Sequence, residues 1–326
     1  MRGRKSYMHG RKGYMRVFNI LLTVAAYSYL VYRLVEFDGY GRMGETFQAA
    51  GEVGIIALLL SLLLMPVQVG CESWKWQTLL RHLHPMSIHE AQQQVYYGYV
   101  GAFVTPYRVG DYPTRMTLLS DKSQWASAVA LGVVGSLAML IVEICLGVPA
   151  MVMFVQYESV MPTQYMLITV GVVVLLLLLC PWCVRWGKKH RWQSGQVQRI
   201  FGELSQLTPR RVAEIVLQSL ARYMIWAMQL MLIFRFCGIA LTPMQWLLTI
   251  PTYYLLLGVI PSLPVADIAV RGSLSIIIFG AFTPHTANIA VATTIIWVVN
   301  TILPMLVGSM VNMHLHGCQK PIIETK

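Results

Sequence analysis

Two polar segments set in apolar surroundings carry nearly the same chemistry: TPYRVGDYPTR, from Thr105 to Arg115, and PSLPVADIAVRG, from Pro261 to Gly272. Each runs from proline to an Asp and then to an Arg four positions on, giving Asp111 with Arg115 and Asp267 with Arg271. If the chain turns helical after each break, that spacing puts both side chains on one face as an ion pair. Arg108 is then a spare cation, and an Arg at membrane depth costs at least ~2.5 kcal/mol unless protein, water or an anion receives it. The helix that follows each break also offers free amides and a positive dipole end, which favour phosphate or carboxylate. The candidate anion- or lipid-binding set is therefore Thr105, Pro106, Arg108, Gly110, Asp111 and Arg115, joined by Pro264, Asp267 and Arg271. A purely structural role, with the two pairs pinning the breaks, is the competing expectation. If charge balance is all that matters, exchanging Asp111 and Arg115 should be milder than Asp111→Asn.

Other charged residues lie deep in apolar runs. Glu143 and Arg222 are candidates for a buried ion pair, although Asp111 or Asp267 would serve Arg222 as well. Asn300 and Pro304 predict a kink, with the amide placed to cap freed carbonyls. Tyr96, Tyr97, Tyr99 and Tyr107, just before the first break, suit either a headgroup cavity or packing.

The elements that position these residues are membrane helices. The 326 residues are 56% hydrophobic and 12% charged, against about 25% charged in soluble domains. Apolar runs close to the ~20 residues a bilayer crossing requires occur at Val17 to Val35, Val53 to Gly70, Trp125 to Val155, Tyr165 to Val184, Val212 to Phe234 and Ile289 to Val311. The segments Ile88 to Leu119 and Pro243 to Phe282 carry the breaks. Proline followed by charge is where a helix in lipid must stop, because each freed backbone group needs a partner in protein or a wet cavity.

Charge asymmetry orients the chain. Six of its 25 Lys and Arg residues fall in the first 16 positions and seven more between Arg185 and Arg211, whereas the loops of opposite parity hold Glu36, Asp38, Glu45 and Glu158 with Arg42 as their only base. The positive-inside rule therefore places both termini and the Arg185 to Arg211 loop in the cytoplasm. That parity survives only if each broken segment enters and leaves on one side. The expectation is an all-α polytopic membrane protein with about six full spans and two re-entrant helical hairpins in an inverted repeat, a pattern whose breaks meet at the transport site. Residues 1–16 form a basic cytoplasmic N-terminus, 17–316 the membrane domain with repeat units at about 52–155 and 212–316, and 317–326 a cytoplasmic tail.

These residues resemble the lysylphosphatidylglycerol synthase transmembrane region, a flippase-like integral membrane family. The family's first motif, approximately T-P-x-R-x-G-[DE]-x-x-x-R, is matched by Thr105, Pro106, Arg108, Gly110, Asp111 and Arg115, and Glu72, Trp74, Lys75, Trp76 and Leu80 look like its tryptophan-rich end of span two. A later G-x-G-V-R-E type motif is met in part by Pro264, Val270 and Arg271, with Gly272 where an acidic residue is common. The resemblance implies translocation of a lipid, anionic or aminoacylated, between the leaflets of a bacterial cytoplasmic membrane. A carrier for a small anionic solute and a non-transporting scaffold for envelope enzymes are the alternatives. It also implies membrane lipids as partners and leaves room for a homo-oligomer or an envelope-synthesis partner.

Enzymatic readings fare worse. Two membrane Asp residues could form a protease dyad, but an Arg four residues after each would hold it ionised, and RVGD lacks the G-x-G-D of presenilin-type enzymes. Cys180 and Cys183 in C-P-W-C have no β-α-β pattern nearby to make them a redox motif. No catalysis, metal, cofactor or nucleic-acid partner is expected.

Overall fold

A computed structural model describes residues 28, 40–105, 108–119, 121–158, 195–259 and 267–317. Their secondary structure is helical, in chain order α1 Tyr40–Ala49, α2 Gly51–Leu80, α3 Ile88–Val104, α4 Asp111–Met116, a 3-10 turn at Lys122–Gln124, α5 Trp125–Glu158, α6 Gly195–Ser205, α7 Pro209–Phe236, α8 Pro243–Val259, α9 Asp267–Phe279, α10 Thr286–Trp297, a π turn at Val298–Ile302 and α11 Leu303–Gly317. Four described stretches are long and apolar enough to cross a bilayer: Gly51–Leu80, Lys122–Tyr157, Pro209–Phe236 and Thr286–Val311. They coincide with four of the six runs expected from the sequence. The runs at 17–35 and 165–184 fall largely or wholly outside the described residues, as do Pro106, Tyr107 and Pro264.

Local signals explain where these helices begin. Ser87 and Glu90 form a reciprocal capping box at the start of α3, and the Thr208 hydroxyl accepts from the Arg211 amide ahead of α7, with Pro209 in the first turn. Gly51, at φ +62°, supplies the left-handed residue that turns α1 into α2. The predicted kink in the last span is a π turn directly before Pro304, which has no amide to continue the α ladder. The Asn300 side-chain oxygen is buried beside this turn without a hydrogen-bond partner among the described residues.

Each broken segment is a helix, a break and a second helix that folds back against the first, α3 with α4 and α8 with α9. Their packing is reciprocal. The first helix of the second segment, α8, lies on α5, and the first helix of the first segment, α3, lies on α11, while α2 and α7 pack against each other. The close contacts repeat as well. A Cβ on Gly147 of α5 would strike the Pro251 carbonyl, and one on Gly308 of α11 would strike the Tyr96 carbonyl. Pro251 and Tyr96 are each the ninth residue of their helix. Small residues at these crossings let backbones touch where lipid supplies no hydrophobic drive.

Two apolar cores result. One gathers α3, α4 and α11 around Trp76, Tyr97 and Met116, and the other gathers α7, α8 and α10 around Phe234, Tyr253 and Phe279. Helices α2, α5 and α7 contribute to both, changing over between Leu62 and Val69, at Ala138 and Met139, and between Ile215 and Tyr223. Arg222 falls within the last changeover.

Candidate functional site

The polar residues of α2 converge on one carboxylate. Glu72 is 3% exposed and pairs with Lys75 at 2.8 Å, with Arg115 of α4 at 3.3 Å and with Arg222 of α7. Glu72, Lys75 and Trp76 share a face because they stand three and four residues apart on a helix. Arg115, 1% exposed, gives a two-pronged contact to Asp111, with Nε to Oδ1 at 2.7 Å and Nη2 to Oδ2 at 2.9 Å. Its guanidinium is flanked by Trp76 and Tyr112, 5.1 and 5.0 Å from their ring centroids. Such a planar fork between two rings is a place for Arg and not for Lys.

Arg222, fourteenth of the 28 residues of α7, lies at mid-span. Besides Glu72 it donates to Tyr99 Oη at 3.0 Å and to Gln68 Oε1 at 3.2 Å, and it stacks 4.6 Å over Trp226. The expected Glu143–Arg222 pair does not form, because Glu72 sits closer on the facing helix and takes the guanidinium. Glu143 is 8% exposed and has no hydrogen bond or ion pair among the described residues. Arg222, Lys75 and Arg271 lie within its electrostatic reach.

The first motif otherwise builds the loop that carries α4. Thr105 Oγ1 donates to the Gly101 carbonyl at 2.7 Å and accepts the Gly110 amide at 2.8 Å, so one hydroxyl closes the turn from α3 into Gly110. Arg108 adopts φ +56°, and its exposed side chain lies over the Tyr99 ring at 5.2 Å. The expectation of a helix-dipole site at this break fails, since α4 has only six residues and so few aligned peptide dipoles give little field. In the second motif Asp267 accepts from Arg271 Nε at 3.0 Å and from the Trp297 indole at 3.1 Å.

The charge balance of the central cluster is uneven. Among the described residues Lys75, Arg115 and Arg222 form direct ion pairs only with Glu72 and Asp111, leaving one positive charge over in the paired cluster, whose side chains are at most 17% exposed, while Glu143 lies nearby without pairing. That surplus suits a singly charged anion such as a phosphodiester. Sequence reasoning had Arg115 and Asp111 but missed Glu72 and Lys75 as the centre. Their signal was available as a Glu and a Lys three residues apart within a long apolar helix, where ionisable residues are rarely idle.

Long apolar helices and two interrupted, folded-back segments around a buried ionic cluster define a polytopic helical membrane domain. From residue 19 to residue 308 the chain matches the family described as the lysylphosphatidylglycerol synthase TM region, and it belongs to that family. Comparison with curated proteins returns no match.

Proposed function

We propose that this domain moves a phospholipid or lipid-linked amphiphile between leaflets, with Lys75, Arg115 and Arg222 receiving the phosphate of the headgroup. The surplus positive charge of the cluster is the observation that carries this reading. Family membership and the outward faces of the helices support it: α2 turns Leu59, Leu63 and Val67 outward, 54%, 67% and 50% exposed, while its inner face holds Glu72 and Lys75. A headgroup in the cluster therefore has acyl-compatible surface on the same helix. The reciprocal packing of α5 on α8 and α3 on α11 supports an inverted repeat with α3–α4 and α8–α9 as re-entrant hairpins. The charge asymmetry of the loops supports a cytoplasmic location for both termini. Glu143, without a partner among the described residues yet near the cluster, suits the ammonium of a zwitterionic or aminoacylated headgroup whose phosphate lies at Arg222.

Photo-crosslinking tests the site. The full chain is reconstituted in vesicles containing an acidic phospholipid with a photoreactive headgroup, and labelled peptides are mapped. Labels on Glu72–Trp76, Asp111–Arg115 and Arg222–Trp226 are expected, and excess unlabelled phospholipid should displace them. Labelling confined to other helices would refute the assignment, and displacement by soluble phosphate alone would favour a carrier of small anions.

A further inference from the structure

Where the end of α2 meets the start of α7, away from the central cluster, the structure forms an open pocket of about 760 Å³. Arg81, His82, Arg210, Arg211 and Glu214 line it together with Leu217. Three guanidinium groups against one carboxylate give these walls a net charge of +2 with His82 neutral. Arg211 is the informative residue. It is 9% exposed, its backbone amide donates to Thr208 Oγ1 at 3.3 Å, and its guanidinium has no hydrogen bond or ion pair among the described residues. Arg81 and Glu214 act on it electrostatically, but neither makes a paired contact with it, and Arg81 repels it. The Arg211 guanidinium lines the open pocket beside a like charge and has no protein acceptor among the described residues, so an entering anion would supply a charge-assisted contact that the protein does not.

The apolar wall identifies the source of that anion. Leu217 lines the cavity and, with Met224 and Met228, continues along α7 at spacings of seven and four residues, which keep one helix face. These side chains are 66%, 53% and 45% exposed, an outward apolar stripe on which an acyl chain can lie beside a basic pocket roomy enough for a phospholipid headgroup. A free phosphate would have no use for that stripe. Basic pockets between helices at a membrane surface are where acidic headgroups bind. We propose that this cavity holds the phosphate headgroup of an acidic phospholipid from the adjoining leaflet, bound independently of the Glu72–Arg115–Arg222 cluster.

The test titrates the purified full chain in detergent with phosphatidylglycerol, with phosphatidylcholine and with inorganic phosphate, each separately, and counts bound lipids by native mass spectrometry. Loss of a charge-assisted contact should weaken the tightest phosphatidylglycerol at least about tenfold in Arg211→Gln, with a smaller loss in Arg81→Gln, an exposed position that keeps the assay informative if the first variant is poorly folded. The same lipid should persist in Arg108→Ala, which removes the cation over Tyr99, the residue that accepts from Arg222 in the other site, and that result separates this proposal from the transport reading. Unchanged phosphatidylglycerol affinity in both cavity variants would overturn the proposal. So would equal, Arg211-dependent binding of phosphatidylcholine, displacement of the lipid by equimolar inorganic phosphate, or loss of the Arg211-dependent lipid in Arg108→Ala.

Discussion

Replacing Glu72 with Gln removes the carboxylate that three cations share. The wild-type cluster sets Lys75, Arg115 and Arg222 against Glu72 and Asp111, so the variant changes its charge from +1 to +2. Every partner involved is nearly sealed, with side-chain exposures of 3% for Lys75, 1% for Arg115 and 11% for Arg222, so solvent gives little screening. Breaking a buried pair costs about 3–5 kcal/mol, a large share of the ~5–15 kcal/mol that holds a folded domain. Glu72→Gln should therefore lower the melting temperature in detergent by roughly 5–10 °C and reduce the yield of monodisperse protein. The decisive comparison is Glu72→Gln with Lys75→Met, which returns the cluster to +1 and discards only the 3.4 Å contact from Lys75 to the Gly135 carbonyl besides. Stability should recover by at least about 1 kcal/mol relative to the single variant. Differential scanning fluorimetry on the three proteins measures it. A Glu72→Gln variant as stable as wild type, or a double variant no better than the single, would refute the charge account.

Arg108→Gly should raise thermal stability by up to about 1 kcal/mol, because φ +56° strains a residue with a Cβ, while lowering lipid movement by removing the cation over Tyr99; melting curves and transport rates together check it. Glu143→Gln should leave melting within about 0.5 kcal/mol of wild type, since no hydrogen bond is lost, yet reduce any preference for aminoacylated over plain phosphatidylglycerol by about tenfold in competition binding. The exchange of Asp111→Arg with Arg115→Asp should be worse than Asp111→Asn, measured as melting temperature, because it would set a second carboxylate against Glu72 and empty the slot between Trp76 and Tyr112.

That last forecast reverses the one made from sequence, and the reason shows what one dimension leaves out. The spacing of Asp111 to Arg115 and of Asp267 to Arg271 correctly implied two local pairs, since both lie within one turn of a helix. Four of the expected spans were legible as uninterrupted apolar runs, and the breaks as proline followed by charge. Contacts between distant segments were not legible. Glu72 meets Arg222 across 150 positions, and only the packing of α2 on α7 selects it over Glu143, Asp111 or Asp267. Likewise Thr105 was readable as part of a motif, but its tie to Gly101 and Gly110 depends on how α3 ends. Arg211 read as one member of a basic loop until its low exposure, with no side-chain partner among the described residues, set it apart from its neighbours.

In the proposed function a lipid headgroup crosses the bilayer through the Arg115–Arg222 cluster. That crossing is tested most directly by transbilayer movement of a headgroup-fluorescent phosphatidylglycerol in vesicles reconstituted with the full chain, followed by quenching of the outer leaflet. Wild type should move the lipid faster than protein-free vesicles. Arg108→Ala and Arg222→Gln, compared only in preparations that melt cooperatively, should fall at least about tenfold, as expected for loss of a charge-assisted contact. A wild-type rate equal to that of protein-free vesicles, or unimpaired movement by both variants, would contradict it.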